Sequence, residues 1–164
     1  MWAEFSLEIR SVVQVRVGST NVSQTPHGSI VGPIWLGASE PGLAFPEVGW
    51  SDFPVVLLGT WIPALRRLAA RGRSAECHFM DGPYRFVVSA VGTGIWSVAC
   101  FETREMPSVA NAVHEWITSA DTFLESAVAA GRAMLGHCDA REWWNDDTTR
   151  LREALAFTDP ERPS

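Results

Sequence analysis

The residue types in this chain that are suited to chemistry are few and scattered. Cys77-His78 and His137-Cys138 are two Cys/His pairs separated by sixty residues. A metal site needs several such ligands converging at short spacing, and neither C-x-x-C nor H-E-x-x-H occurs. Successive side chains on a strand point to opposite faces, so Cys77 and His78 do not face one ion from a regular strand. Cys77 with Cys100 reads more simply as two small core residues. A thiol nucleophile needs a neighbouring base and a stabilised thiolate, and neither Cys77 nor Cys138 carries a sequence sign of them. The three cysteines are an odd number at long spacings, which fits free thiols in a reducing compartment. Serine chemistry lacks its G-x-S-x-G. Gly92-Thr93-Gly94 lacks the further glycine and the helix of a nucleotide loop, and reads as a tight turn. Asp146 and Asp147 have the types of an acid/base pair, but their place before a predicted helix makes capping the better account. The expectation is a protein without catalytic residues, metal or cofactor.

The eight tryptophans are the unusual feature. Trp61 and Trp96 sit within apolar periods and are expected in the core. Trp143 and Trp144 are adjacent, so on a helix they cannot both face one core, and they lie among Asp139, Glu142, Asp146 and Asp147. An aromatic anchor ringed by charge is what an interface hot spot looks like. The competing reading lays both rings against loops of the same domain. The candidate partner-binding residues are therefore Asp139, Glu142, Trp143, Trp144, Asp146 and Asp147.

Charge points to the same segment. Residues 1–101 hold seven acids and seven arginines, whereas residues 102–164 hold twelve acids against six arginines and so carry the whole formal charge of -6. An acidic face repels nucleic acid and anionic lipid and attracts a basic protein. No run approaches the length of a membrane span, since the apolar stretch from Val55 ends at Pro63 and Arg66. The N-terminus alternates acids with apolar residues, unlike a basic and then continuously apolar export signal, so a cytoplasmic protein is expected. With 164 residues, 46% hydrophobic and 20% charged, one domain over 1–158 with a frayed tail at 159–164 is expected.

The elements that must position these residues follow from periodicity. Phe5, Leu7, Ile9, Val13, Val15 and Val17 share one parity, which predicts a long half-buried strand. Ser29 to Leu36 is a second strand weakened by Pro33, and Gly37 to Gly49 a loop. Val55, Leu58, Ile62, Leu65 and Leu68 form one stripe of a helix over about 52–71. That helix is capped by Ser51 or Asp52, kinked at Pro63 and ended by Gly72. The alternative is a buried strand at 53–58 with a helix starting at Pro63. Residues 75–80, 84–91 and 95–102 form a meander, and 110–117 adds a strand to it. A helix at 119–135 has Thr118 as N-cap and Gly136 as its stop. A last helix at 148–157 is capped by Asp146 or Asp147 and buries Leu151 and Leu155. The fold class is α+β, with a mainly antiparallel sheet of five or six strands packed against these helices.

Phe45-Pro46-Glu47, Trp50-Ser51-Asp52-Phe53, the Trp61-centred helix, Phe79-Met80-Asp81-Gly82-Pro83-Tyr84, Ile95-Trp96-Ser97-Val98-Ala99-Cys100, and Cys138 with Trp143 and Leu151 carry a resemblance of overall pattern. Over about residues 45–155 the chain resembles small bacterial α+β proteins, some of them immunity proteins of contact-dependent or polymorphic toxin systems. The resemblance implies a non-enzymatic protein that binds and neutralises a cognate toxin domain by masking it, and acidic members of this kind face basic nucleases. The rival readings are a small enzyme with a tryptophan-lined pocket using Cys77, His78 or His114, and a structural subunit of a homo-oligomer.

Overall fold

The structure, a computed structural model, describes residues 12–39, 43–103 and 111–157. In chain order its elements are β1 Val13–Val17, β2 Ser23–Gln24, β3 Ile30–Ala38, β4 Ala44–Phe45, β5 Ser51–Asp52, α1 Pro54–Arg71, β6 Ser74–His78, β7 Arg85–Gly92, β8 Ile95–Phe101, β9 His114–Ser119, α2 Ala120–Ala140 and α3 Asp146–Ala156. This is an α+β fold, but the strands divide into two antiparallel sheets of five and four rather than one sheet of five or six. The division follows from β3, which is nine residues long and pairs with β1, β2, β4 and β5. The later strands form their own sheet in the order β6-β7-β8-β9, the expected meander, with its last strand at His114–Ser119 rather than 110–117. No helix among the described residues is long and apolar enough to cross a membrane.

The alternation in the first strand has the expected sense. Val13 and Val15 are buried while Arg16 is exposed, and Val15 lies opposite Leu36. Phe5, Leu7 and Ile9 fall outside the described residues. β3 runs through Pro33 because that residue lies just past the end of β1, where the nitrogen has only one ladder bond to forgo. The Pro33 carbonyl still accepts from Gly18 N–H at 3.2 Å, and Ile34 N–H donates to the Trp50 carbonyl at 2.8 Å on the other edge. The expected loop at 37–49 contains the end of β3 and the short β4.

Residues 54–62 are helical, so the strand alternative is excluded, and α1 continues through Pro63. The expected cap is absent. Ser51 and Asp52 belong to β5, Phe53 is the N-cap, and no side chain caps the helix. Pro54 in the first turn has no N–H to satisfy, which lessens the need for one. At the other end Gly72 is extended, with φ −85°, rather than left-handed. Its glycine is required by space: a Cβ there would meet the Leu68 Cα at 2.8 Å.

α2 differs from expectation at both ends. Ser119, not Thr118, is the N-cap and accepts from Thr122 N–H at 3.3 Å. The helix also passes through Gly136 for another turn, to Ala140. An exposed glycine costs about 1 kcal/mol in a helix, and burial of Leu135 and Cys138 on the same turns outweighs it. α3 starts at Asp146 rather than Thr148, and its cap is Asn145. The Asn145 side chain accepts from Thr148 N–H at 2.9 Å while Thr148 Oγ1 accepts from Asn145 N–H at 2.9 Å.

The core lies where the helices meet the sheets. Trp61 of α1 stands edge-on to Phe79 at 5.0 Å and Phe86 at 4.9 Å, and its indole N–H donates to the His78 carbonyl at 3.1 Å. Phe123 of α2 links Phe86 to Trp96 at 6.2 Å each. α2 also runs beside β1, where Val15 N–H donates to Ser126 Oγ at 2.9 Å. α3 packs across α1, and Arg66 of α1 donates to the carbonyls of Ala154 and Phe157 at the end of α3.

Candidate functional site

The Trp143-Trp144 corner is built by the way α2 stops. Glu142 takes a left-handed conformation, φ 56°, immediately after the helix. Glu142 N–H donates to the Asp139 carbonyl at 3.2 Å and Trp143 N–H to the Cys138 carbonyl at 3.0 Å, the paired bonds of a Schellman motif. The motif turns the chain so that Trp143 folds back against the helix and Trp144 points away. Trp143 is half-buried, with its ring 5.7 Å from that of His137 and the Arg141 guanidinium 5.5 Å from its centroid. Trp144 is 62% exposed.

Trp144 is nevertheless held. Its indole N–H donates to Asp139 Oδ1 at 3.1 Å, and Arg152 Nη2 of α3 donates to the same oxygen at 2.7 Å. These bonds, from Arg152 first and Trp144 second, hold the Asp139 carboxyl below its usual range, so it is ionised at neutral pH. The far end of the corner is tied by Asn145, whose Nδ2 donates to the Gly28 carbonyl at 2.8 Å. Asp146 is exposed in the first turn of α3 beside Asp147, which is half-buried and lines a cleft of about 40 Å³ with Val55, Gly59, Thr60 and Arg150. That cleft has room for a few waters. The structure thus gathers Asp139, Glu142, Trp143, Trp144, Asp146 and Asp147 on one corner. It splits the tryptophans, with Trp144 the exposed one, rather than laying both rings against loops of the domain.

Sequence reasoning missed the Arg152 contact and the Asn145 anchor. The Asn145-x-x-Thr148 spacing was a usable signal for the cap. The Asp139–Arg152 pair joins two helices and has no local signature. Glu142 offers a test of the corner's geometry. A non-glycine residue in the left-handed region is strained by roughly 1–2 kcal/mol. Glu142→Gly is therefore expected to raise stability by about 0.5–1 kcal/mol after the added freedom of the unfolded chain is subtracted. A urea unfolding midpoint that falls instead would mean Glu142 makes a contact that outweighs its strain.

The other candidates are dispersed. Cys77, Cys100 and Cys138 are free and buried. Burial pushes the Cys77 thiol up to about 12, and it raises Cys100 and Cys138 as well, so none offers a thiolate near neutral pH. His78 and His114 lie on β6 and β9, the two outer strands of the four-stranded sheet. His78 Nε2 is 3.1 Å from Glu76 Oε1, which also accepts from Arg85 Nη1 at 2.9 Å. His114 stacks on Trp116 at 5.0 Å. Burial, then the Arg141 charge, lowers the His137 pKa, and its Nε2 is buried without a hydrogen bond among the described residues. A shallow, open groove of about 390 Å³ between β1 and α2 is lined by Gln14, Arg16, Trp35, Ser126 and alanines; its one hydroxyl, Ser126 Oγ, donates to the Phe123 carbonyl at 2.7 Å and accepts from Val15 N–H, and no carboxylate or imidazole stands in the lining to activate it. Among the described residues no group of three or more His, Cys, Asp or Glu is placed to hold a metal ion. Comparison of the chain with protein-family models, curated proteins and solved structures finds no match in any of the three.

Proposed function

We infer that this is a non-enzymatic, immunity-type protein that binds and neutralises a cognate bacterial toxin domain, a basic nuclease, through the corner at residues 139–147. The observation that carries this reading is Trp144, exposed at 62% yet pinned by Asp139 among acids. A large ring held in one orientation loses little side-chain entropy on binding, which is what makes tryptophan an interface anchor. The acidic excess of residues 102–164, twelve acids to six arginines, supports a basic partner.

The test is co-expression with the product of the gene upstream, followed by binding kinetics of the purified pair. Trp144→Ala is expected to cost ~2 kcal/mol or more, mainly through faster dissociation. Reversing Asp146 and Asp147 to Arg is expected to slow association and reduce its salt dependence. Asn145 rather than either aspartate caps α3, so the reversal loses only the helix-dipole contribution of about 0.3–1 kcal/mol each in fold stability. The reading fails if no complex forms, or if affinity is indifferent to salt and to both sets of substitutions.

A further inference from the structure

The geometry points to an arginine of the partner as the group that docks on this corner, its guanidinium donating to the Asp139 Oδ2 and lying over the face of the Trp144 indole. This inference rests on the reading of residues 139–147 as a partner surface and names the side chain that surface selects. Three observations carry it. First, Asp139 is only half used: both described hydrogen bonds to its carboxylate, from Arg152 and from Trp144, reach Oδ1, and none reaches Oδ2. Second, the molecule already fills the neighbouring positions with its own guanidinium groups. Arg141 lies over Trp143, and Arg152 takes Oδ1 by a single contact. Among the described residues the Trp144 ring carries no such cation, although it is the more exposed of the two indoles. Third, the Arg152–Asp139 contact is easily exchanged, because its side chains are 54% and 43% exposed and such pairs contribute little.

The chemistry favours arginine over lysine. A planar guanidinium lies flat on an indole while one of its N–H groups donates to a carboxylate oxygen at the ring's edge, whereas an ammonium offers a strongly hydrated point charge. Arg152 then acts as an internal placeholder. In the free protein it partly neutralises Asp139, and the incoming guanidinium competes with it.

The experiment follows the indole N–H resonance of Trp144 in ¹⁵N-labelled full-length protein, assigned by its loss in Trp144→Phe. The probes are N-acetyl-arginine amide and its lysine and citrulline counterparts. The arginine probe is expected to shift the resonance along a saturable curve, the lysine probe more weakly, and the neutral citrulline probe not saturably. Asp139→Asn retains an oxygen for the indole while removing the charge, and it is expected to abolish the response. Arg152→Ala removes the competitor and is expected to tighten probe binding about two- to fivefold, the equilibrium equivalent of losing an exposed ion pair. A citrulline or lysine response equal to that of arginine overturns the inference. So does a response that survives Asp139→Asn, or one that weakens in Arg152→Ala. These readouts need no toxin, so a silent probe beside an intact toxin complex sinks the arginine anchor alone. A responsive probe without any toxin complex supports the anchor and counts against the toxin reading.

Discussion

Replacing Val15 by Asp is expected to cost roughly 3–5 kcal/mol, the range for an uncompensated buried charge, while Arg16→Asp changes stability by less than about 1 kcal/mol. The contrast comes from one residue of displacement along β1. Val15 is 4% exposed, faces Leu36 across the ladder and lies beside α2, where its N–H is already engaged by Ser126. A carboxylate at that position lies within the buried hydrophobic core. It must either remain charged without solvent or take up a proton, and both routes subtract from a total stability of about 5–15 kcal/mol. Arg16 points the other way. It is exposed and its aliphatic stem lies over Gly37, so its replacement loses some packing and no burial of charge arises. Urea unfolding followed by circular dichroism measures both. Equal losses would mean that β1 does not present one buried and one exposed face.

Asp52→Ala is the second large effect, expected at roughly 3–5 kcal/mol from donors left without an acceptor. Asp52 is 1% exposed and carries three hydrogen bonds. Oδ2 accepts from the Trp50 indole at 3.1 Å and from Asp81 N–H at 3.0 Å, and Oδ1 accepts from Phe53 N–H at 2.8 Å. The carboxylate therefore joins the turn before β5, the entry to α1 and the turn between β6 and β7. Trp50 also stands edge-on to Tyr84 at 5.0 Å, so the loss reaches that pair. Asp52→Asn retains one acceptor oxygen but presents an amide N–H₂ to at least one donor, and about half the loss is expected. Chemical denaturation gives the stabilities. Near-ultraviolet dichroism should report the loosening of the Trp50–Tyr84 contact. An alanine variant as stable as the parent would mean that water replaces the carboxylate at all three donors.

Elements whose burial has a local period were legible from the residues alone. The parity of Val13, Val15 and Val17 marked the core side of β1, and the three-and-four spacing of Val55, Leu58, Ile62, Leu65 and Leu68 marked the buried stripe of α1. The turns at Asp81-Gly82-Pro83 and Thr93-Gly94 marked the meander. Such patterns are readable because a residue's side of a strand or helix depends on its immediate neighbours alone. Caps were less legible, since Ser51, Asp52, Thr118, Ser119, Asn145, Asp146 and Asp147 all have capping side chains, and the choice depends on where packing lets each helix begin. Gly136 read as a stop, and burial of Leu135 and Cys138 carried α2 past it. Only tertiary structure decided that β3 gathers four partners into a sheet of its own. The same is true of Asp52, which reaches Asp81 twenty-nine residues away, and of Asp139, which meets Arg152 across two helices. It also decided which tryptophan is presented. The acids around Trp143 and Trp144 were visible in the sequence, but the left-handed turn at Glu142 lays one ring, half-buried, back against the helix and turns the other to solvent. The Asp139–Arg152 and Asn145–Gly28 bonds then tie that corner to α3 and to the turn before β3. Contacts of this kind join residues whose approach depends on the path of the whole chain, and a local period carries no record of that path.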